Sequence, residues 1–232
     1  MSIHISASLL VDYIQCNKRT FFRINAPESS VSSKESKIGV AIHRVIEEHP
    51  DNKSLGTAML SNLLGSIEGI EDADTRFGLL CIENYYTRFS PLLDSGSALS
   101  EKFFKIKLEP DVFLVGRIDR ISNGIIYDWK SKRVPPKKLV DDIQFLIYEY
   151  AYRKIYGKKA LYSVFGALAT GEHIVHRSTE LGKSTLFEEL IPAVIANIKR
   201  GTLPKTGLFS GSCFRCQYKG TCLKVDDNVV DS

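Results

Sequence analysis

The sequence predicts an α/β protein whose central mixed sheet is flanked by helices, because the spacing of its apolar residues changes along the chain. Up to residue 89 the apolar side chains recur with a helical period, whereas residues 99–129 alternate with the period of two that is typical of strands. The chain then offers one more helix, two more strands and a last helix. This order predicts an α/β or α+β core with helices packed on one sheet.

Length and composition are those of a globular protein with a single packed domain over residues 1–232. Of its 232 residues, 44% are hydrophobic and 25% are charged. No apolar run approaches the ~20 residues of a membrane span, and the first residues lack the pattern of a signal peptide. The net charge of +4 fits a nucleic-acid partner without requiring one. We therefore expect an intracellular, cytoplasmic protein with no membrane association.

The first helix is predicted after Ser6 or Ser8, either of which can cap it, and it ends near Cys16. Residues 18–23 then combine basic and aromatic side chains, which can stack on bases or pack against the core. The polar, Ser-rich residues 27–36 predict a loop.

A second helix, over residues 38–48, presents Gly39, His43 and Glu47 on one face, since residues four apart lie about one turn apart. Glycine at 39 would let another backbone or a nucleic-acid strand come close. A lone histidine on a helix is usually a packed or surface residue. The glutamate one turn later makes metal ligation the alternative.

Two further helices are predicted over residues 55–64 and 73–89, where apolar side chains recur every three or four positions. Cys81 falls among the apolar residues of the second helix. We expect it to be a buried thiol that acts as a small hydrophobe.

Three antiparallel strands are predicted over residues 99–108, 112–121 and 124–129. Asn123-Gly124 joins the last two, because both residues tolerate a positive φ in a tight hairpin turn. The sequence therefore places a β-hairpin at the middle of the chain.

This hairpin carries charged residues in a suggestive arrangement. Asp119 lies on its first arm, while Asp128 and Lys130 share one face of the second because side chains alternate along a strand. Two acids followed by a lysine can hold a divalent cation with room for a phosphate oxygen, which suits phosphodiester hydrolysis. The alternative is a solvated hairpin with ordinary surface charges.

A basic run follows these acids directly. It consists of Lys130, Lys132, Arg133, Lys137 and Lys138. Such a run is either a solvated loop or a set of phosphate contacts, and its position beside the acids leaves both alternatives open.

The helix predicted over residues 139–156 places Gln144, Tyr148 and Tyr152 in one stripe. Such a stripe often reflects packing alone. Beside an acidic site, Gln144 could instead orient a water molecule or hold a phosphate.

The rest of the chain completes the sheet and its helices. Two strands are predicted over residues 159–170 and 172–178, and a helix over residues 183–200 ends at Gly201. The acidic residues 223–232 predict a disordered tail.

Four of the five cysteines indicate a metal centre. Cys213, Cys216 and Cys222 follow the spacing C-x2-C-x5-C, which lets three thiolates reach one inorganic centre. Cys16 is the best candidate for a fourth ligand, because Cys81 is embedded in an apolar helix face. Zinc and a [4Fe-4S] cluster both accept four cysteines, and the spacing does not choose between them. Either centre would close a very long loop and thereby stabilise the protein.

In their order along the chain, these elements resemble the iron-sulfur branch of the RecB-like PD-(D/E)XK nuclease superfamily. That branch includes CRISPR-associated iron-sulfur exonucleases and the nuclease domain of AddB. The matching elements are Gly39-x3-His43-x3-Glu47, Gly116-Arg-Ile-Asp119, Asp128-Trp-Lys130, Gln144-x3-Tyr148, and Cys16 with the C-x2-C-x5-C triplet. The resemblance implies a restriction-endonuclease-like fold whose terminal segments are joined by a four-cysteine cluster.

The resemblance also implies a catalytic metal site. His43, Asp119 and Asp128 would bind Mg²⁺ or Mn²⁺, and the ion would polarise the scissile phosphate. Lys130 would position the attacking water and offset developing negative charge. Glu47 would support this metal site from outside the ligand set.

Further implied roles concern the substrate. Gln144 and Tyr148 would hold its backbone near the metal, with Tyr148 also supporting the ligands. Arg117, Lys132 and Arg133 are the other expected contacts to nucleic acid.

Together these features predict a metal-dependent DNA nuclease, most simply an exonuclease on single-stranded DNA with a structural [4Fe-4S] cluster held by the four cysteines. By resemblance, 5′ to 3′ polarity is expected. No Gly-x4-Gly-Lys-Ser/Thr loop of a helicase motor occurs in the sequence. The enzyme would therefore act on exposed strands or with a helicase or integrase-type partner. The alternatives are a catalytically silent DNA-binding subunit and a zinc-clamped interaction protein.

Overall fold

The computed structural model describes residues 2–25, 33–93, 99–131, 138–201 and 203–222. They divide into two compact units. The terminal unit takes the described residues of Met1–Val31, Lys107–Val115 and Glu180–Ser232. The central unit takes those of Ser32–Ile106 and Gly116–Thr179.

Helices and strands follow one another as an α/β chain. The helices are α1 Ala7–Gln15, α2 Asn17–Asn25, α3 Lys34–Glu48, α4 Lys53–Gly65, α5 Asp72–Asn84, α6 Ile143–Tyr156, α7 Glu180–Ser184, α8 Ile191–Arg200 and α9 Gly207–Ser210. The strands are β1 Ile3–Ile5, β2 Leu99–Glu109, β3 Val112–Ser122, β4 Ile125–Lys130, β5 Leu139–Val140, β6 Tyr162–Ala167 and β7 Glu172–Arg177. Wider π-helical turns continue α5 over Tyr85–Phe89 and join α7 to α8 over Thr185–Leu190.

A mixed sheet organises the central unit, in the order β3-β4-β6-β7-β5. Strand β4 pairs antiparallel with β3 and parallel with β6, while β7 pairs antiparallel with β6 and parallel with β5. The predicted mixed α/β architecture is therefore confirmed. In the terminal unit, β1 pairs in parallel with the first residues of β3.

The predicted β-hairpin between β3 and β4 is confirmed. Asn123 and Gly124 have φ values of 49° and 79°, and Ser122 pairs with Ile125 across the turn. Positive φ at both central residues is the geometry that matches the twist of the flanking strands.

Helix α6 begins later than predicted. Residues 139 and 140 form β5 against β7 instead of the first helical turn. The Asp142 carboxylate then accepts the Gln144 backbone N–H at 3.0 Å and caps the helix, which fixes its start at Ile143.

Helices α3 and α4 also start differently from the prediction, in this case earlier. The hydroxyl of Ser33 accepts the Ser36 N–H, and the amide oxygen of Asn52 accepts the Leu55 N–H. Both caps lie before the first apolar residue of each helix, so apolar periodicity alone underestimates the helix length.

The core of the central unit packs α3, α4 and α5 around aromatic side chains of the sheet. Trp129 is fully buried, and its ring contacts Tyr85, Phe89 and Tyr127. Cys81 lies in the same cluster, so the predicted buried thiol is confirmed, and burial raises its pKa to about 12.

In the terminal unit, the basic and aromatic residues after Cys16 belong to α2 and pack against α1. Asp12 is only 3% exposed and binds Arg19 Nε at 2.8 Å and Arg23 Nε at 2.5 Å. Phe22 is buried against Tyr218. The packing alternative for this segment therefore accounts for its contacts.

Several predictions concern residues outside the described part of the chain. These are most of the Ser-rich stretch, the basic residues Lys132, Arg133 and Lys137, and the acidic tail over residues 223–232. Within the described part, no helix is both long enough and apolar enough to cross a membrane.

Candidate active site

Three side chains from three elements of the central unit converge on one point. His43 projects from α3, Glu101 from β2 and Asp119 from β3, and one ligand atom of each lies within 4.8 Å of the others. His43 Nδ1 is 3.6 Å from Asp119 Oδ2 and 3.9 Å from Glu101 Oε1. Helix α3 brings His43 there because Ile38, Ile42 and Val45 bury its apolar stripe in the core.

Asp119 lies just beyond the paired residues of β3 and β4, where its side chain contacts the β4 backbone. The pairing runs from Ser122 opposite Ile125 to Arg120 opposite Tyr127. One position further, Asp119 Oδ2 accepts the backbone N–H of Trp129 at 2.7 Å. This bond orients the carboxylate without any bound ion.

Asp128 lies on β4 beside Asp119 and is held from both sides. Gln144 Nε2 donates to its Oδ1 at 2.7 Å, and Lys130 Nζ is 2.7 Å from its Oδ2. Asp128 is only 1% exposed, so these two partners offset the cost of burying its charge.

A chain of hydrogen bonds connects α6 to β3 behind the acids. Gln144 Nε2 lies 2.6 Å from the Tyr148 hydroxyl, which donates to the Arg117 carbonyl at 2.5 Å. Tyr148 is 4% exposed, and its ring packs edge-on against Phe104 and Phe145. The predicted stripe of Gln144 and Tyr148 therefore faces the acids and holds Asp128 in place.

Glu101 is the site residue that the sequence reasoning missed. It adopts φ 48°, which is uncommon for a residue with a Cβ and turns its carboxylate out of the regular strand pattern. The guanidinium of Arg120 binds the hydroxyl of Ser100, the residue before Glu101. Arg117 Nη1 lies 3.4 Å from Glu101 Oε2. An acidic residue near the start of the strand beside Asp119 was the available signal.

Burial and neighbouring charges set the protonation of this site. Burial, and then the charge of Asp128, raise the pKa of Asp119 to about 7, and burial also raises the pKa of Asp128. Burial tends to lower the pKa of His43, but Glu101 and the two aspartates raise it on balance. Asp128 and Asp119 raise the pKa of Lys130 against the effect of burial, so its ammonium charge offsets part of the negative charge of the acids.

The other expected site residues occupy different positions. Glu47 is exposed one turn beyond His43 and lies outside the group of converging ligand atoms. Asp128 also lies outside that group, and its oxygens contact Lys130 and Gln144. The side chain of Arg117 is exposed, whereas Lys132 and Arg133 fall outside the described residues.

The donor atoms at this site suit a divalent cation. Carboxylate oxygens are preferred by Mg²⁺ and Mn²⁺, and an imidazole nitrogen is acceptable to Mn²⁺ and other transition metals. Ligand atoms of a small cation lie about 3 Å apart when adjacent and about 4.2 Å apart when opposite, and the distances of His43 Nδ1 from Asp119 Oδ2 and Glu101 Oε1 fall between these values. The residues present therefore fit such an ion with small side-chain adjustments.

In the terminal unit, the four cysteines that the sequence grouped line one small cavity. Its lining also includes Lys18, Arg19, Phe22, Lys205, Leu208, Tyr218 and Lys219. Burial raises the pKa of Cys222, the charge of Lys205 lowers it in part, and the charges of Cys16, Cys213 and Cys216 raise it further. Four sulfurs among basic side chains suit an inorganic centre that carries net negative charge with its thiolates.

Glycine at 207 makes room for this arrangement of sulfurs. A Cβ at this position would lie 2.9 Å from Cys16 Cβ, 3.0 Å from Cys16 Sγ and 3.3 Å from Cys213 Sγ. The first two distances are too short for unstrained contacts, so a larger residue would displace Cys16 from the cavity.

Comparison with known proteins identifies a nuclease signature over almost the whole chain. The model of the PD-(D/E)XK nuclease superfamily matches residues 4–223. No curated protein matches the sequence.

Proposed function

Because the chain belongs to the PD-(D/E)XK nuclease superfamily, we propose that it is a Mg²⁺- or Mn²⁺-dependent deoxyribonuclease. We further propose that it degrades single-stranded DNA from an end, in the 5′ to 3′ direction. The finer assignment rests on the resemblance to the RecB-like iron-sulfur branch.

The single observation that carries the nuclease proposal is the convergence of His43, Glu101 and Asp119 beside Asp128 and Lys130. The first three residues would hold the cation, and Asp128 would join them when a ligand or substrate draws Lys130 away. A divalent cation bound there supplies a Lewis acid for the scissile phosphate.

Lys130 acts in this scheme as a fixed positive charge. Burial tends to lower its pKa, but Asp128 and Asp119 raise it on balance, so the ammonium stays protonated near neutral pH. A protonated lysine cannot accept a proton from water. Lys130 would therefore orient the attacking water by hydrogen bonding and offset the negative charge that develops on the phosphate.

Gln144 and Tyr148 would act on the substrate mainly through Asp128. The Gln144 amide donates to Asp128, and the buried Tyr148 hydroxyl is engaged with Gln144 and the β3 backbone. We assign Tyr148 to the support of Gln144 rather than to direct contact with DNA, because its ring is buried.

Digestion of end-labelled single- and double-stranded oligonucleotides, with and without Mn²⁺, tests the proposal. The expected result is metal-dependent cleavage of the single strand that proceeds from one end. Lys130→Ala should remain folded and lose cleavage. Binding of DNA without cleavage by any divalent metal would instead identify a silent DNA-binding subunit.

We also propose that Cys16, Cys213, Cys216 and Cys222 hold a structural [4Fe-4S] cluster. Four thiols line one cavity, and Lys18, Lys205 and Lys219 offset the negative charge that a thiolate-bound cluster carries. The bound cluster supplies cross-links between residues far apart in the chain.

Anaerobic purification followed by iron, sulfide and zinc analysis tests the cluster. The expected result is four iron and four sulfide per chain, as the formula of the cluster requires, with visible absorption that is lost on chelation. Stoichiometric zinc in a colourless protein would support the zinc-clamped alternative.

A further inference from the structure

A second surface feature of the central unit shares helix α3 with the candidate active site and takes no part in the chemistry above. It is a groove of about 320 Å³ between α3 and α4. Its lining consists of Ser36, Lys37, Val40, Ala41, Arg44, Leu63, Ser66 and Ile67. Two cations and two hydroxyls thus surround an apolar floor.

Both cations of the groove can take an anionic ligand. The Lys37 ammonium has no hydrogen-bond or ion-pair partner among the residues that the structure describes. Arg44 Nε lies 2.7 Å from Glu48 Oε1, but both side chains are exposed, and such surface pairs contribute little free energy. A phosphate could therefore replace Glu48 at low cost.

Helix α3 connects the groove to the candidate metal site. Lys37, Val40 and Arg44 form a stripe along this helix, and Val40 precedes His43 by three residues, a rise of about 4.5 Å. Val40 is 65% exposed, lines the groove and lies about one turn before His43 on α3. A chain molecule bound at His43 could continue into the groove.

We infer that this groove binds a nucleotide of the single-stranded DNA substrate next to the scissile phosphate. Lys37 and Arg44 contact the DNA backbone, while Val40, Leu63 and Ile67 support a base. The volume lies at the lower end of the range for small-ligand sites, which suits one nucleotide. The inference rests on the proposed nuclease function and names the path of its substrate.

The double variant Lys37→Ala/Arg44→Ala tests the groove. Filter binding of a single-stranded oligonucleotide should weaken by about 10- to 100-fold, and the slope of log affinity against log salt should fall by about 0.7 per lost phosphate contact. Cleavage should show a raised KM with an unchanged kcat. The matched control Lys53→Ala/Arg76→Ala removes the same charge from exposed positions of the same unit outside the groove, and it should bind like the unmodified protein.

A small phosphodiester separates this inference from the proposed function. Bis(4-nitrophenyl) phosphate has a single phosphate and offers no flanking phosphate for Lys37 and Arg44 to contact, so the groove variant should hydrolyse it normally while Asp119→Asn does not. Unchanged oligonucleotide affinity in the groove variant and in Val40→Glu would overturn the groove while leaving the nuclease intact. Hydrolysis of neither substrate by the unmodified protein would refute the nuclease, and filter binding would still test the groove.

Discussion

The two candidate centres differ in how the protein holds their ligands. In the central unit, Asp119 and Asp128 each accept a hydrogen bond of 2.7 Å, from a backbone N–H and from the Gln144 amide. In the terminal unit, Cys213 and Cys222 lie on short helical turns after Gly211, and Cys216 ends the first of these turns. No hydrogen bond that the structure describes orients the sulfurs of these three residues.

This difference teaches which centre the fold can build by itself. A carboxylate that is already hydrogen-bonded keeps its position when the cation leaves, so the active site should survive metal removal. Thiols on short turns gain their positions from the group that they bind, so loss of that group should unfold the turns. Activity and stability should therefore respond to different substitutions.

The largest expected effect is on activity in the central unit. Asp119→Asn should lower Mn²⁺-dependent cleavage on the order of 10³-fold, because it removes a ligand charge while keeping the shape. The Trp129 N–H can still donate to the remaining amide oxygen, so the thermal unfolding midpoint should stay close to that of the unmodified protein. Cleavage assays and thermal melts check both halves. Full activity of Asp119→Asn would contradict the assignment of Asp119 as a cation ligand.

Cys213→Ser should have the opposite pattern. It should lower the iron content and destabilise the protein by about 5 kcal/mol, comparable to opening a cross-link that closes a very long loop. Iron analysis and urea unfolding measure the change. Cys81→Ala is the control, since its buried thiol lies in the central core, and it should retain all iron. A Cys213→Ser protein with full iron and unchanged stability would contradict the ligand assignment.

Gln144→Leu tests whether the hydrogen bonds that support Asp128 are needed for activity. It should lower kcat by about 10- to 100-fold, because Asp128 keeps only Lys130 as a partner and the Tyr148 hydroxyl loses the hydrogen bond from Gln144. Gln144→Glu would place a charge beside Asp128 and should lower kcat further. A smaller loss of activity in Tyr148→Phe would show that Gln144 supports the acid more than Tyr148 does. If all three variants were as active as the unmodified protein, the role of the network would be refuted.

Metal affinity at the active site should rise with pH through the neutral region. The pKa of Asp119 is raised to about 7 and that of His43 is raised as well, so a cation that binds there competes with protons. Below these pKa values the apparent Mn²⁺ affinity should fall about tenfold per pH unit for each proton released. Calorimetric titration in two buffers of different ionisation enthalpy counts the protons. Binding without proton release would contradict this account.

The smallest effect is expected for Glu47→Gln. Glu47 shares a helix face with His43 in the sequence but is exposed and outside the converging group. Cleavage should change by less than about threefold, within the range of ordinary surface substitutions. Glu101→Gln is the informative counterpart, and it should lose activity almost as severely as Asp119→Asn. A larger loss of activity in Glu47→Gln than in Glu101→Gln would instead support Glu47 as the acid that assists the metal site.

Local patterns sufficed for much of the fold. The alternation of β2 to β4, the Asn123-Gly124 turn and the helix stop at Gly201 depend on neighbours in the chain, and all three appear where the sequence predicts them. Strand β5 was missed because two residues gain strand character only from pairing with β7. Short strands of this kind are decided by tertiary contacts.

The candidate site likewise has one part that local patterns predict and another that depends on tertiary contacts. Asp119, Asp128 and Lys130 are close in the sequence, and the hairpin brings them together in a manner that alternation predicts. Glu101 reaches the site through an irregular backbone angle and the bond from Arg120 to Ser100, neither of which has a periodic signal. The role of α6 as a support for Asp128 likewise required its position against the sheet.

Trp129 is the only tryptophan of the chain, and its backbone N–H is the donor that holds Asp119. Its indole ring is buried and packs against the rings of Tyr85, Phe89 and Tyr127. The protein therefore contains one indole fluorophore, and the backbone of the same residue is hydrogen-bonded to a proposed cation ligand. Its emission can report the arrival of an ion without a label and without any nucleic acid in the cuvette.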